Sequence, residues 1–213
     1  MPMLPTLAAR WHRLTEPLLA DESGRTAAFE QLAAAYQAKG RHYHTLTHIQ
    51  ALLDATDQAA SQLHNLAVVQ LAVWFHDAVY NPLRSDNEAR SAKLAREFLV
   101  GTSLPAEQRE RVAFLIARTQ DHTQPQPPDD ADLLFFLDAD LSILGSPEGQ
   151  YQEYARQIRQ EYRVVPDILY RPGRRKVLEK MLATPALYRT AAYHSRLEEA
   201  ARRNLQAELQ QFF

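Results

Sequence analysis

The stretch Leu71-Ala72-Val73-Trp74-Phe75-His76-Asp77 sets an imidazole and a carboxylate directly after five apolar residues. Val69, Val73, His76 and Tyr80 recur at the three- and four-residue spacing of one helix face, so the run reads as a helix that carries the His-Asp pair near its C-terminal end. A carboxylate buried beside such a run is costly unless a positive charge compensates it. A divalent metal suits a carboxylate and an imidazole together. Two adjacent ligands cannot complete a coordination sphere, so partners must come from elsewhere in the chain.

Working outward, apolar positions keep helical spacing throughout, and no segment shows the sustained alternation of a half-buried strand. The chain reads as all-α. Ser85-Asp86-Asn87-Glu88 has the form of a capping box, and Ser103-Leu104-Pro105, Ser146-Pro147-Glu148 and Thr184-Pro185 set a cap beside a first-turn proline, predicting four helix starts. A further helix carries Ile49, Leu52 and Leu53. Between Gln120 and Ala131 three prolines and a polar run predict a surface loop. The apolar burst Leu133 to Leu137 reads as helix, Tyr162 to Pro172 as an irregular connection, and Arg174–Leu182 and His194–Phe212 as two closing helices.

The 213 residues, 46% of them hydrophobic, suffice for one domain with its own core. The absence of cysteine excludes disulfides, thiolate metal sites and cysteine nucleophiles, so a metal would be held by nitrogen and oxygen. Arg10, His12, Arg13 and Glu16 interrupt the N-terminal apolar stretch, and no run approaches the ~20 apolar residues of a membrane span, so the expectation is a cytoplasmic protein without membrane contact. From Tyr151 onward 12 Lys and Arg face 7 Asp and Glu, a basic third that suits acidic ligands such as phosphates, although solvated helix faces give the same count. No basic stripe interleaved with aromatics accompanies the pI of about 6.4, which argues against a nucleic-acid polymer as partner. No P-loop, dinucleotide fingerprint or Gly-x-Ser-x-Gly elbow is present.

The candidate partners of His76-Asp77 are His44 and His48, four apart, and Asp138 and Asp140, which follow a second apolar run as Asp77 follows the first. On the residues alone both pairs stay open. In order they form H…HD…D, which resembles the HD superfamily of metal-dependent phosphohydrolases. More narrowly, the chain is similar to a family of predicted HD-domain phosphohydrolases through Arg41-His42-Tyr43-His44-Thr45-Leu46-Thr47-His48-Ile49, Trp74-Phe75-His76-Asp77-Ala78-Val79-Tyr80, Asn87-Glu88-Ala89-Arg90-Ser91-Ala92, Leu137-Asp138-Ala139-Asp140-Leu141-Ser142-Ile143-Leu144-Gly145 and Tyr170-Arg171-Pro172-Gly173-Arg174. The likeness runs over about residues 35–210.

The resemblance implies a single HD-type helical bundle over residues 1–213, with a core at about 35–145 and a helical C-terminal extension at 146–213. It favours His48, which precedes Ile49, over His44, and Asp140, which ends Asp-Ala-Asp before Leu141, over Asp138. The implied metal ligands are then His48, His76, Asp77 and Asp140. Two nitrogens and two carboxylates suit one divalent transition metal, Mn, Fe, Co, Ni or Zn, better than Mg. Binuclear relatives carry two further histidines between the HD pair and the last Asp, where this chain has His122 alone, so one metal is expected. Asp77, Glu88 and His122 are the implied catalytic groups, and Arg41 and Arg174 the implied contacts to a small phosphorylated molecule or nucleotide. The implied activity is phosphoester or nucleotide hydrolysis by a metal-activated water. The alternative is a non-catalytic metal- or nucleotide-binding regulatory protein on the same scaffold.

Overall fold

The computed structural model describes residues 3–212. Among the described residues it is all-α, with ten α-helices, two short 3-10 turns and no strand. No helix is long and apolar enough to cross a membrane. The chain divides into two compact units, Met1–Gln120 and Asp121–Phe213. The division falls at the start of the proline-rich loop, inside the span 35–145 expected as one core.

The first unit contains α1 (Met3–Thr15), α2 (Glu22–Tyr36), α3 (Leu46–Gln58), α4 (Leu66–Phe75), α5 (Asn87–Val100) and α6 (Ala106–Arg118), with a 3-10 turn at Ala60–Gln62 between α3 and α4. Helix α4 is apolar on every side except at Gln70, and Val68, Val69 and Leu71 to Phe75 are all buried. Such a helix must be surrounded, and α3, α5 and α6 pack on it. Its N-terminus is capped by Asn65, whose side chain accepts the Val68 N–H at 3.1 Å. At its other end Trp11 of α1 meets Trp74 edge-on, with centroids 5.4 Å apart, and Phe29 of α2 does so at 6.0 Å. Tyr36 Oη donates to the carbonyl of Trp74 at 2.9 Å, so the last turn of α4 is held both by rings and by a polar contact.

Helix α4 stops at Phe75 rather than running through Tyr80. The reason is competition for the backbone. Beyond His76 the Val79 N–H is taken by Ser91 Oγ and the Asn81 N–H by Asn87 Oδ1, both at 3.0 Å, so α5 withdraws from the helix the donors that would extend it. The capping box is displaced as well. Asp86, not Ser85, stands at the N-cap of α5, so Glu88 is the second helical residue and not the reciprocal partner of a cap. The Asp86 carboxylate pairs instead with Arg84 and Arg90, which hold it well below the usual carboxylate range. Helix α6 likewise begins after Pro105, two residues past Ser103, whose N–H donates to the Leu18 carbonyl.

The second unit contains α7 (Ala131–Asp140), a 3-10 turn at Leu141–Gly145, α8 (Glu148–Glu161), α9 (Asp167–Ala183) and α10 (Ala191–Gln210). The apolar burst forms α7, capped by Asp130, and 120–130 is non-helical, both as expected. Two expectations fail here. Thr184 ends α9 instead of starting a helix, and the start that follows belongs to Thr190, whose hydroxyl accepts the Tyr193 N–H. The connection is irregular as expected over 162–166, but α9 already starts at Asp167 and runs through Pro172, which removes only one hydrogen bond, that to the Ile168 carbonyl near the start of the helix.

Helix α10 organises this unit. Its Asn204 Nδ2 donates to the carbonyls of Leu144 and Ser146, its Glu198 carboxylate accepts the N–H groups of Leu187 and Tyr188, and its Leu197 lies so close to Gly145 that a β-carbon there would sit 2.6 Å from it. Glu208 takes a two-pronged contact from Arg174, Nε to Oε1 at 2.7 Å and Nη2 to Oε2 at 2.8 Å, and a third hydrogen bond from Tyr151. Both charged side chains are about 8% exposed. Burial pushes the Glu208 carboxyl up, but Arg174 and Tyr151 outweigh it and leave its pKa below 4.5.

A carboxyl with a depressed folded pKa adds stability above its unfolded pKa and loses it as pH falls through the folded one. Glu208→Gln strands a buried guanidinium and is expected to destabilise the chain by about 3 kcal/mol near neutral pH. The difference from the wild type should persist at pH values above 4.5 and shrink below it, as read by urea unfolding across the acid range.

Candidate metal centre

In the first unit three side chains converge. His48 is the third residue of α3, His76 occupies the C-cap of α4, and Asp77 follows in the turn. His48 Nε2 lies 3.3 Å from His76 Nε2, which lies 3.1 Å from Asp77 Oδ2. His48 Nε2 and Asp77 Oδ2 are 4.0 Å apart. Among the described residues, these are the His, Asp and Glu side chains whose ligand atoms all fall within 4.8 Å of one another. His48 and His76 are buried, and Asp77, with its side chain 16% exposed, is the member of the group nearest solvent.

The end of α4 decides which His76 nitrogen is offered. Nδ1 lies 2.9 Å from the Val73 carbonyl, which can only accept, so Nδ1 carries the proton and Nε2 presents a lone pair. That lone pair faces a carboxylate oxygen at 3.1 Å, an arrangement that calls for a cation between them. A proton on Nε2 is one answer and a metal another. Ligand atoms about 2.1 Å from a shared metal stand roughly 3.0 to 3.4 Å apart at octahedral or tetrahedral angles. The separations of 3.3 and 3.1 Å fit that range, and 4.0 Å corresponds to a wider angle, so the three residues fit a metal.

His44 stands differently. Its Nε2 is 3.9 Å from Asp77 Oδ2, its side chain is 20% exposed, and its ring lies 4.5 Å from that of Tyr80. It borders the trio without belonging to it. Glu88 is half-buried in the first turn of α5, the helix tied by Ser91 and Asn87 to the segment after Asp77. Arg41 donates to two backbone carbonyls, of His44 at 3.1 Å and Ala78 at 3.0 Å.

The remaining expected residues lie in the second unit. Asp140, the last residue of α7, has Oδ2 3.1 Å from His122 Nε2, and both side chains are about nine-tenths covered. His122 is held by its backbone, since Arg189 donates to its carbonyl and to that of Gln124. Asp121 beside it accepts from Lys180 at 2.7 Å and from Thr123, contacts that overcome partial burial and lower its carboxyl to about 2. Asp138 has another task. It is fully buried and accepts the N–H groups of Arg189 and Thr190 and the Thr190 hydroxyl, so it anchors the chain entering α10. Burial raises its pKa against the pull of those donors.

Arg174 departs from the expectation of a phosphate contact, because its fork is engaged by Glu208 inside the unit. Other arginines of the basic third behave alike: Arg156, Arg159, Arg175, Arg202 and Arg203 pair with Glu153, Asp167, Glu179, Glu198 and Glu199. These pairs join residues of the same third and leave its basic excess unchanged. The sequence reading did not single out the Val73 carbonyl, which follows from helix geometry once His76 is known to end the helix. Nor did it assign roles to Asn87 and Ser91, although both lie in the quoted Asn87–Ala92 motif.

Comparison of the chain with protein-family models, curated proteins and solved structures returns no match.

His48→Ala and His76→Ala are each expected to weaken Co(II) or Zn(II) binding by at least about 100-fold, and His44→Ala by less than about 10-fold. Titration of the metal-free protein against a chromophoric chelator measures all three.

Proposed function

We propose that the chain is an HD-type metal-dependent phosphohydrolase acting on a phosphomonoester, phosphodiester or nucleotide. The observation that carries this reading is the convergence of His48 Nε2, His76 Nε2 and Asp77 Oδ2, with the Val73 carbonyl setting the His76 tautomer. The H…HD…D order supports it, and that order alone adds Asp140 as fourth ligand and His122 as an auxiliary group. The donor set favours a single Mn, Fe, Co, Ni or Zn ion.

A metal held by His48, His76 and Asp77 would supply Lewis acidity, which lowers the pKa of a water and draws charge from a phosphoryl oxygen. The protein's part is position and protonation. His76 is locked in the tautomer that offers Nε2, and His48 approaches from a separate helix. Asp77 brings a carboxylate that both binds and orients the attacking water. His44, at the rim and one-fifth exposed, is the imidazole assigned to the substrate side, and Glu88 is an auxiliary acceptor. The covered walls around His48 and His76 exclude bulk water from the lone pairs.

Metal analysis of the purified protein is expected to find a transition metal, and metal-loaded protein to turn over members of a phosphoester and nucleotide panel supplied with Mn, Co, Ni or Zn. Asp77→Ala should lower that turnover by on the order of 10³-fold, and Asp140→Asn should weaken metal retention. No metal and no turnover across the panel would defeat the reading. A nucleotide that raises the melting temperature without being consumed would turn it into ligand sensing.

A further inference from the structure

We propose that Arg41 is the positioning residue of this metal centre, a clamp that keeps the two ligand-bearing segments in register, and that it does not serve as a phosphate contact. The inference rests on the metal reading above and adds what holds the ligands in place.

The centre joins the first turn of α3 to the turn that follows α4. His48 enters from the first turn of α3, whose N-cap Thr45 makes no side-chain capping bond. Asp77 lies in the turn after α4. Arg41 spans these stretches. Nη1 donates to the carbonyl of His44, four residues before His48, and Nη2 to that of Ala78, the residue after Asp77. One planar cation therefore fixes the distance between the segment that delivers His48 and the segment that delivers His76 and Asp77.

The clamp is itself held. Its guanidinium carbon lies 5.0 Å from the ring centre of Tyr36 and 5.4 Å from that of Tyr80. Tyr36 donates through its hydroxyl to the Trp74 carbonyl in the last turn of α4, so the ring beside the guanidinium is anchored to the helix that ends in the ligands. Gly40, at φ +99°, makes the left-handed turn that leads the chain from α2 into Arg41, a conformation that a side chain there would strain. Arg41 reaches the two ligand-bearing segments through backbone carbonyls, and a shift of about half an ångström in either segment is enough to degrade a coordination site.

Lysine keeps the charge but presents one compact ammonium in place of a fork, so it cannot reproduce both contacts in their geometry. Full-length wild type, Arg41→Lys and Arg41→Gln are titrated with Co(II), followed by visible absorption and by chelator competition, and the Co(II)-saturated proteins are titrated with inorganic phosphate. Wild type is expected to take up Co(II). Both variants should bind it about 10- to 100-fold more weakly and show altered Co(II) bands at saturation, with phosphate affinity at saturating metal unchanged. Arg41→Lys should melt close to wild type in the presence of chelator, which separates lost ligand register from general unfolding and carries the test if Arg41→Gln does not fold. Wild type that takes up no Co(II) would overturn the metal reading and this inference together. Wild-type affinity and bands in Arg41→Lys would overturn the inference alone. So would weakened phosphate binding with intact metal binding, which would make Arg41 a substrate contact.

Discussion

The hydrogen bond from His76 Nδ1 to the Val73 carbonyl belongs to two structures at once. As part of the fold it closes α4, the apolar helix around which the first unit is packed, at the place where Ser91 and Asn87 take the next backbone donors. As part of the site it engages Nδ1 and leaves Nε2 as the nitrogen that faces His48 and Asp77. The burial that stabilises α4 and the aim of the nitrogen that faces His48 and Asp77 are therefore coupled: a helix one turn longer would point His76 from a different backbone frame and remove Asp77 from its turn.

The second unit solves a different problem. Its charged residues are numerous and its core depends on satisfying them, through the Arg174–Glu208 pair with Tyr151, the Glu198 carboxylate on two backbone donors and the Asp138 carboxylate on the entrance to α10. Removing one member of such a group leaves the other buried and uncompensated, so these contacts hold the unit together without directing charge at a ligand. The exposed arginine pairs add little stability, and because both partners of each lie in the C-terminal third they leave its basic excess unchanged.

Much of this was legible along the chain. The helical spacing, the proline-rich break before Ala131 and the His76-Asp77 anomaly follow from composition and periodicity, and α3, α4, α7 and α10 all lie where the apolar pattern sets them. Helix ends were less legible, because a cap is a competition among neighbours: Asp86 displaced Ser85, Thr190 rather than Thr184 opened the last helix, and Pro172 was absorbed into α9. Arg174 shows why side-chain roles lag behind residue types. A guanidinium suits a phosphate and a buried glutamate equally, and only the approach of α10 to α9 identifies its partner as Glu208.

The sequence by itself determined the class of the fold and the kind of chemistry on offer, since a 3.6-residue apolar period admits only helices and an imidazole beside a carboxylate at the end of an apolar run asks for a cation. Tertiary structure decided which histidine joins them. His44 and His48 are both four-residue neighbours on paper, but a ligand is chosen by where its nitrogen lies relative to residues almost thirty positions away, and that distance exists only after α3 has packed against α4. Arg41 was decided in the same way: its charge is visible in the sequence, and the two carbonyls it holds come within its reach only in the folded chain.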